Sequence, residues 1–260
     1  MEELRLHAVT VNIGESTLVN TVSIAVKPGE ILGIIGPNGS GKTTLLKAIS
    51  GEIKTASGSI SVDSRPLNQL NARQRACQLA ILPQFSSLSF PFTVAEVVAL
   101  SRIPHQTGKR CNHQIVREAL QAMDILDLQD RLYTQLSGGE KQRVQLARTM
   151  AQIWRSEDTP GTRLLLLDEP TSALDLGHQQ QLMSVLRDFA HRGVAIVMVV
   201  HDINLVARYA DNVLALSGGR TIDYGQPKDV IRTEVINQLY GVDVGIIKHP
   251  DNSRPVLLGV

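Results

Sequence analysis

The chain lacks any long hydrophobic run, and it has few aromatic residues and almost no net charge. Its longest apolar stretches, EILGIIG and VAIVMVV, are far shorter than the roughly 20 residues that a membrane-spanning helix needs. Aromatic residues make up only 3% of the chain, which leaves few rings for bases to stack on, and the net charge of +1 does not favour nucleic acid. We therefore expect no membrane span and no nucleic-acid partner.

Cysteine is also scarce. The two cysteines, Cys77 and Cys111, form neither a CxxC pair nor a metal-ligand spacing, which predicts incidental thiols in a reducing compartment. The first residues, MEELRLHAV, lack the basic start and apolar core of a signal peptide. The 260 residues, 43% of them hydrophobic, supply ample material for a core. These features favour a cytosolic protein that needs a partner for any role at a membrane.

Hydrophobic periodicity predicts strands that alternate with helices. Residues 4–35 first alternate between polar and apolar and then become continuously apolar, which predicts strands, the last one buried on both faces. TTLLKAIS predicts a helix, and SGSISV and AILPQ predict short strands. Residues 93–151 have a helical period, after which LLLLDEP and VAIVMVV return as buried strands joined by the helix LMSVLRDFAHR. This order indicates an α/β fold around a mostly parallel sheet.

A phosphate-binding loop is predicted at residues 36–43, GPNGSGKT. It matches G-x-x-x-x-G-K-[ST] and has a predicted strand before it and a predicted helix after it. The glycines allow backbone N–H groups to converge on phosphate oxygens, Lys42 places a positive charge on the β- and γ-phosphates, and the Thr43 hydroxyl can ligate Mg²⁺. The predicted nucleotide-binding residues are Gly36, Pro37, Asn38, Gly39, Ser40, Gly41, Lys42, Thr43 and Thr44.

Two carboxylates end the buried strand in LLLLDEP. Asp168 is predicted to bind Mg²⁺, directly or through water, and Glu169 points elsewhere because neighbouring strand residues alternate. A carboxylate beside the γ-phosphate can act as general base for an attacking water. Such a pair can also merely close a strand, but the phosphate loop upstream favours the catalytic interpretation.

Two further candidates follow other predicted strands. His201, after VAIVMVV, is a candidate for contacting the γ-phosphate and holding Glu169 or the water, although a histidine there can be purely structural. Gln84, in ILPQF, is a candidate for reaching the metal or the water, although a lone glutamine is usually a surface residue. The remaining histidines have no ligand spacing and are expected to be solvated at the surface: His7, His105, His113, His178, His191 and His249.

A second anion-binding device is predicted at residues 136–143, LSGGEKQR, where a serine and glycines open onto strong helix formers. Together, GPNGSGKT, Gln84, LSGGEKQR, LLLLDEP, SALD and His201 resemble, in order, the motifs of an ABC-type ATPase. The resemblance implies a head-to-tail homodimer in which Ser137, Gly138 and Gly139 bind the γ-phosphate of ATP held by the other chain. It also implies that Asp175 crosses the interface.

The resemblance implies a P-loop NTPase core with a mostly parallel sheet, an N-terminal antiparallel β subdomain and an inserted α-helical subdomain. The chain is then a single domain, with a nucleotide-binding core at about 1–90 and 155–260 and the helical subdomain at about 91–154. The cofactors are ATP and Mg²⁺. An aromatic ring that stacks on adenine in such proteins is replaced here by about Ile13, so the preference for ATP over GTP rests on the resemblance alone.

A near-copy of the second device occurs at residues 216–220, LSGGR. It lies between NVLAL and TIDYG, two strand-like runs, so its glycines are predicted to form a hairpin turn and not an anion site. Both segments contain LSGG, so it is the residues on either side, and not these four letters, that predict a different structure for each.

Three stretches are similar to the importer ATPases for iron chelates, haem and cobalamin. They are residues 82–105, the insert WRSEDTPGTR, which is predicted to be a surface loop turning at Pro160-Gly161, and the ending QLYGVDVGIIKHPDNSRPVLLGV. The resemblance favours haem, with ferric siderophore or cobalamin as alternatives. It implies a permease dimer, a periplasmic binding protein met only indirectly, and a peripheral position on the cytoplasmic face of the inner membrane. A soluble ATPase of iron–sulfur assembly and a nucleotide-binding regulator without turnover stay open as rivals.

Overall fold

Three sheets and a set of mostly short helices make up the chain in a computed structural model, which describes residues 3–84, 88–158, 161–249 and 254–258. Within these residues no helix has the length and apolar character needed to cross a membrane. The strands are β1 (Leu4–Ile13), β2 (Ser16–Val26), β3 (Ile31–Ile35), β4 (Ser57–Val62), β5 (Arg65–Pro66), β6 (Leu79–Leu82), β7 (Arg163–Asp168), β8 (Val194–Val199), β9 (Asn212–Ser217), β10 (Arg220–Gly225), β11 (Gly245–Lys248) and β12 (Pro255–Leu258). The α-helices are α1 (Lys42–Ser50), α2 (Ala72–Gln78), α3 (Val94–Ala99), α4 (Lys109–Ala122), α5 (Gly138–Gln152), α6 (Leu176–His191), α7 (Ile203–Tyr209), α8 (Pro227–Val230) and α9 (Thr233–Tyr240).

The N-terminal sheet is antiparallel, with strand order β2-β1-β4-β5. In β1 the apolar side chains of Leu4, Leu6, Val9 and Val11 are buried, while most of the residues between them are more exposed. This is the half-buried pattern that alternation predicts, because successive side chains of a strand point to opposite faces. The predicted strands of this region are confirmed.

The central sheet has six strands in the order β10-β9-β3-β8-β7-β6, and all are parallel except the edge strand β10. Every residue of β3, β7 and β8 is buried, which explains their unbroken apolar sequences, since helices and the N-terminal sheet cover both faces. Because parallel strands end at the same edge, the segments that follow β3, β6, β7 and β8 meet there. The predicted α/β class with a mostly parallel sheet is confirmed.

Helices α3, α4 and α5 pack on one another between β6 and β7 in the chain. Each contributes buried apolar residues to the core cluster that also contains one face of the central sheet. Helices α3 and α5 both begin with a capping box, in which the side chains of Thr93 and Ser137 accept a hydrogen bond from the backbone of Glu96 and Glu140. These reciprocal bonds fix where the two helices start.

The insert between α5 and β7 is exposed at Ser156, Glu157 and Gly161, as predicted for a surface loop, but its other described residues are partly or fully buried. The Asp158 carboxylate forms a 2.5 Å salt bridge with Arg102, and the two side chains are 4% and 2% exposed. On the far side of the insert, the Thr162 N–H and hydroxyl both donate to Asp63. Polar composition misled the prediction, because buried charged groups are tolerated when each finds a partner. The predicted turn residue Pro160 lies outside the described residues.

The prediction that His105 is solvated at the surface is also wrong. Its side chain is 9% exposed, and its Nε2–H donates to the Gln152 carbonyl at 2.7 Å. Burial lowers its pKa, and the neighbouring Arg102 guanidinium lowers it further. His105 therefore belongs to the same buried polar cluster as the Arg102–Asp158 pair.

Candidate functional site

The phosphate loop connects β3 to α1 at the carboxyl edge of the central sheet. Gly36 has φ +150°, and a Cβ atom there would lie 2.0 Å from the Leu216 carbonyl oxygen. Gly41 has φ +100°, and its Cβ would lie 2.4 Å from the Leu18 carbonyl oxygen. No side chain fits at either position, so these glycines are required by the close approach of β2 and β9 to the loop as well as by their backbone angles.

The Lys42 ammonium group lies folded over the loop. Its Nζ donates to the carbonyl oxygens of Gly36 at 2.7 Å and Pro37 at 2.8 Å. Burial lowers the pKa of Lys42, and the nearby carboxylates of Glu169 and Asp168 act against that shift. The positive charge of Lys42 therefore lies at the phosphate loop, whose backbone N–H groups can bind a phosphate.

Asp168 and Thr43 form the candidate Mg²⁺ ligands. Burial raises the pKa of the Asp168 carboxyl group, and an interaction with the Thr43 side chain acts against that shift. One carboxylate oxygen, Oδ1, is buried without a hydrogen-bond partner. An orphaned carboxylate oxygen beside a hydroxyl fits Mg²⁺, which prefers oxygen ligands and commonly takes one or two carboxylates together with substrate phosphates. The described residues contain no cluster of three or more His, Cys, Asp and Glu side chains that could hold a metal.

Glu169 is the centre of a small polar cluster. Its Oε1 accepts a hydrogen bond from Gln84 Nε2 at 3.1 Å and lies 2.7 Å from His201 Nε2. Glu169 has φ +52°, a left-handed conformation that is unfavourable for a side chain of its size, and its N–H donates to the Val199 carbonyl. The hydrogen bond to the end of β8 holds this strained backbone in place.

The sheet edge brings most of the predicted site residues into one cleft of about 450 Å³. The loop residues on one side face Gln84, Glu169 and His201 on the other, although these three come from segments after three different strands. The residues that line the cleft are Asn38, Gly39, Ser40, Gly41, Lys42, Thr43, Gln84, Glu169 and His201.

Eight predicted residues do not line the cleft, of which Gly36, Pro37, Thr44 and Asp168 lie within two residues of its lining residues in the chain and the other four lie farther from them in sequence. Ser137, Gly138, Gly139 and Asp175 do not line this cleft. Ser137 and Gly138 are exposed at the start of α5, and nothing lies within 4 Å of where a Gly138 Cβ would be. Asp175 caps α6 through the His178 N–H and is also hydrogen-bonded to the His178 ring. A single chain therefore presents these groups to solvent and not to its own phosphate loop.

Two contacts of the phosphate loop have no counterpart in the sequence predictions. The Gly36 N–H donates to the Tyr240 hydroxyl at 3.0 Å, and the Gly219 N–H donates to the Ser40 carbonyl at 3.0 Å. Tyr240 lies 204 residues away in the chain, and no periodic pattern or motif connects it with the loop. Gly219 was predicted only as part of a hairpin turn, and its position beside the loop depends on where β9 lies in the sheet.

Comparison with known protein families gives one match over most of the site. Residues 19–172 match the family described as ABC transporter. The chain is 43% identical over 255 residues to the "Hemin import ATP-binding protein HmuV" of Pseudomonas fluorescens strain Pf0-1, covering 98% of this chain and 99% of that protein. A protein of the same name from Pseudomonas aeruginosa is 44% identical over 255 residues with the same coverage. The one from Gloeobacter violaceus is 45% identical over 258 residues, covering 98% of this chain and 93% of that protein.

Solved structures with the same fold include complete transporters and isolated ATP-binding subunits. An inward-facing metal-chelate type ABC transporter aligns with a TM-score of 0.81 at 27% identity, covering 100% of this chain and 98% of that chain. A dimeric ATP-binding cassette bound to ADP and Pi in a post-hydrolysis state aligns with a TM-score of 0.75 at 27% identity, covering 86% and 98%.

Proposed function

The chain belongs to the ABC transporter family of ATP-binding proteins, and we propose that it is the ATPase subunit that energises haem uptake through a membrane permease. The full-length similarity to hemin import ATP-binding proteins carries the choice of substrate. The contact of Glu169 with both Gln84 and His201, opposite the phosphate loop, supports ATP hydrolysis as the reaction.

In the proposed reaction the loop amides and Lys42 bind the β- and γ-phosphates of ATP. Lys42 must first leave the carbonyl oxygens of Gly36 and Pro37, and the phosphate oxygens replace those weaker acceptors. Glu169 accepts a proton from the attacking water, while Gln84 and His201 hold the carboxylate in place. Thr43, Asp168 and Gln84 would hold Mg²⁺, which would supply positive charge against the negative charge that develops on the phosphates.

The second phosphate-binding device completes the site in a head-to-tail homodimer. In one chain Ser137 and Gly138 are exposed and Gly138 has free space around it, while the capping box uses the N–H groups of Ser137 and Glu140. We propose that Ser137, Gly138 and Gly139 bind the γ-phosphate of ATP held by the partner chain, because helix N-termini favour anions. Asp175 lies across the interface near the same nucleotide. Each ATP then joins two chains, and hydrolysis releases them.

Two large apolar side chains on either side of α3 are exposed. Phe90 is 65% exposed and Ile103 is 75% exposed, both within residues 82–105, the stretch that resembles chelate importers. We propose that a cytoplasmic helix of the permease docks here, so that the ATPase lies on the cytoplasmic face of the inner membrane and meets a periplasmic binding protein only through the permease. Haem then never contacts this chain.

The division of the chain and the base contact are also proposals. We assign residues 1–90 and 155–260 to the nucleotide-binding core and residues 91–154 to the helical subdomain, which contains α3 to α5. Ile13, 51% exposed at the end of β1, is proposed to pack on adenine through apolar contact instead of ring stacking.

A ferric siderophore or cobalamin is the second candidate cargo, favoured by the fold match to a metal-chelate type transporter. Reconstitution with the neighbouring membrane subunit decides between them. Stimulation of ATP hydrolysis by haem supports the proposal, whereas stimulation by a siderophore or cobalamin alone favours the alternative. Co-purification with a soluble scaffold instead of a permease would favour iron–sulfur assembly.

Replacing the general base tests the reaction itself. Glu169→Gln keeps the hydrogen-bonding shape but cannot accept the proton, so we expect ATP binding to persist and turnover to fall at least ~100-fold. Phosphate release and equilibrium ATP binding by the purified chain measure the two effects. Near-normal turnover would contradict the role of Glu169, and loss of binding would point to a folding defect instead.

A further inference from the structure

Tyr240 connects the C-terminal part of the chain with the phosphate loop. It is the last residue of α9, and its side chain is half-buried. Its hydroxyl oxygen accepts the hydrogen bond from the Gly36 N–H at 3.0 Å. Burial raises the pKa of Tyr240, so the hydroxyl stays neutral across the physiological range. The proposed mechanism makes no use of this side chain.

The bond matters because of where Gly36 lies. The chain leaves the sheet immediately after β3, and the residue is buried. A buried N–H without an acceptor is strongly unfavourable. The same residue is confined by the Leu216 carbonyl and the Ser40 side chain, which would contact any added Cβ atom at 2.0 Å and 2.8 Å. Tyr240 therefore supplies the acceptor for a residue that has little freedom to find another.

Helix α9 is held firmly enough to fix that hydroxyl. Its residues Val235, Ile236 and Leu239 are buried in the core cluster of the central sheet. The helix ends at Gly241, whose φ of +70° and N–H bond to the Asn237 carbonyl close the last turn. The Tyr240 ring thus leaves a rigid element at a defined point.

The segment after α9 is fastened to the helix that follows His201. The Asn204 side chain donates to the Leu257 carbonyl at 3.3 Å and accepts the Leu257 N–H at 2.8 Å, which joins β12 to α7. Arg254 donates to the carbonyl oxygens of Ala207, Arg208 and Ala210 at the end of α7. Of the C-terminal elements, α9 therefore contacts the phosphate loop, and β12 contacts α7, the helix that follows His201.

We propose that Tyr240 is a positioning residue that preorganises the phosphate loop for nucleotide, held in place by the packing of α9 on the core cluster of the central sheet. The proposal rests on the phosphate-binding role given above to residues 36–43. A loop whose first residue is fixed before binding loses less conformational freedom when the nucleotide arrives, so the effect falls on affinity and not on the chemical step.

Tyr240→Phe tests this because it keeps the ring and removes only the hydroxyl. We expect KM for ATP to rise ~3–10-fold while kcat stays within ~2-fold, which is the scale of one lost hydrogen bond that acts on binding. The dissociation constant for ADP, measured by titration calorimetry, should rise by a similar factor, since ADP uses the same loop.

Tyr224→Phe is the matched control. The Tyr224 hydroxyl is also partly buried and donates to a backbone carbonyl, that of Ala25, but it lies in β10 and does not contact the loop. Its loss should lower the melting temperature comparably and leave KM unchanged. Equal KM values in the two variants would overturn the proposal. If Glu169→Gln abolishes turnover while Tyr240→Phe behaves like the wild type, only the role of Tyr240 fails and the proposed function stands.

Discussion

The letters LSGG occur twice in the chain, once at the start of a helix and once in a hairpin turn. In residues 136–139 the serine caps α5, and the glycines begin the helix with open space beside Gly138. In residues 216–219 the serine ends β9, and Gly218 and Gly219 turn into β10 with φ of +52° and +75°. The prediction that the second copy forms a hairpin turn is confirmed.

The two copies also differ in their relation to the phosphate loop of their own chain. The first does not line the cleft of that loop, and its Ser137 and Gly138 are exposed. The second supports the loop of its own chain, because Leu216 confines Gly36 and the Gly219 N–H bonds to the Ser40 carbonyl. The difference teaches that a motif acts through the groups left unsatisfied by its own fold. The hairpin uses the Gly219 N–H internally, whereas at the helix start the capping box uses the N–H groups of Ser137 and Glu140 and leaves those of Gly138 and Gly139 for an anion.

The largest expected difference between the two copies is in ATP hydrolysis, when the serine of each copy is replaced by arginine. Ser137→Arg should reduce cooperative ATP hydrolysis by at least ~100-fold, because a bulky side chain blocks the place proposed for the partner's γ-phosphate. Ser217→Arg, with the same change in a hairpin, should keep activity within ~3-fold. Steady-state phosphate release measures the activity of both variants, and melting temperatures check that both are folded. Equal loss in the two variants would break the comparison.

Mixing inactive chains sharpens the same prediction. Lys42→Ala and Ser137→Arg should each be inactive alone. In a head-to-tail dimer formed from one chain of each kind, one site combines the intact Lys42 with the intact Ser137, so hydrolysis should partly return. A mixture that stays inactive, despite forming mixed dimers, would contradict the shared site.

The next effect is on folding and concerns the glycines. A Cβ at Gly219 would lie 2.6 Å from the Leu18 carbonyl oxygen, in a left-handed conformation. We expect Gly219→Val to lower the free energy of unfolding by ~2–4 kcal/mol. Gly138→Ala, at an open helical position, should change it by less than about 1 kcal/mol. Urea denaturation measures both, and equal losses would show that the structural distinction is wrong.

The smallest expected effect is on the free energy of unfolding, and it concerns the residue that follows each LSGG, Glu140 in the first copy and Arg220 in the second. Glu140 accepts the Ser137 N–H at 2.7 Å and completes the capping box, so Glu140→Ala should cost about 1 kcal/mol of unfolding free energy. Arg220, in the hairpin, caps nothing comparable, and Arg220→Ala should have little effect.

The loss at Glu140 should depend on pH. Hydrogen bonds from the Ser137 backbone and then from its side chain lower the pKa of Glu140 below its usual value. Its stabilisation is therefore fully present above the unfolded carboxyl pKa of about 4.3 and disappears as the pH falls through the folded value. Denaturation of wild type and Glu140→Ala at neutral and acidic pH should converge on acidification. A constant difference would exclude the charged bond as its cause.

Local sequence alone determined much of this protein. Unbroken apolar runs predicted β3, β7 and β8, because strands covered on both faces have no polar side. The glycine and lysine spacing of residues 36–43 predicted the phosphate loop, since backbone N–H groups can converge there only without side chains. The choice between the two LSGG segments also followed from their immediate neighbours, which either continue a helix or alternate as a strand.

Tertiary structure alone decided which distant groups meet. The sheet order places Gln84 and His201 on Glu169, and the packing of helical segments buries Asp158 against Arg102 and brings Tyr240 to Gly36. Such contacts depend on how separate elements pack, and a polar residue looks the same in a sequence whether water or a buried partner satisfies it. Periodicity reports which face of an element is apolar, but only packing fixes what lies opposite that face.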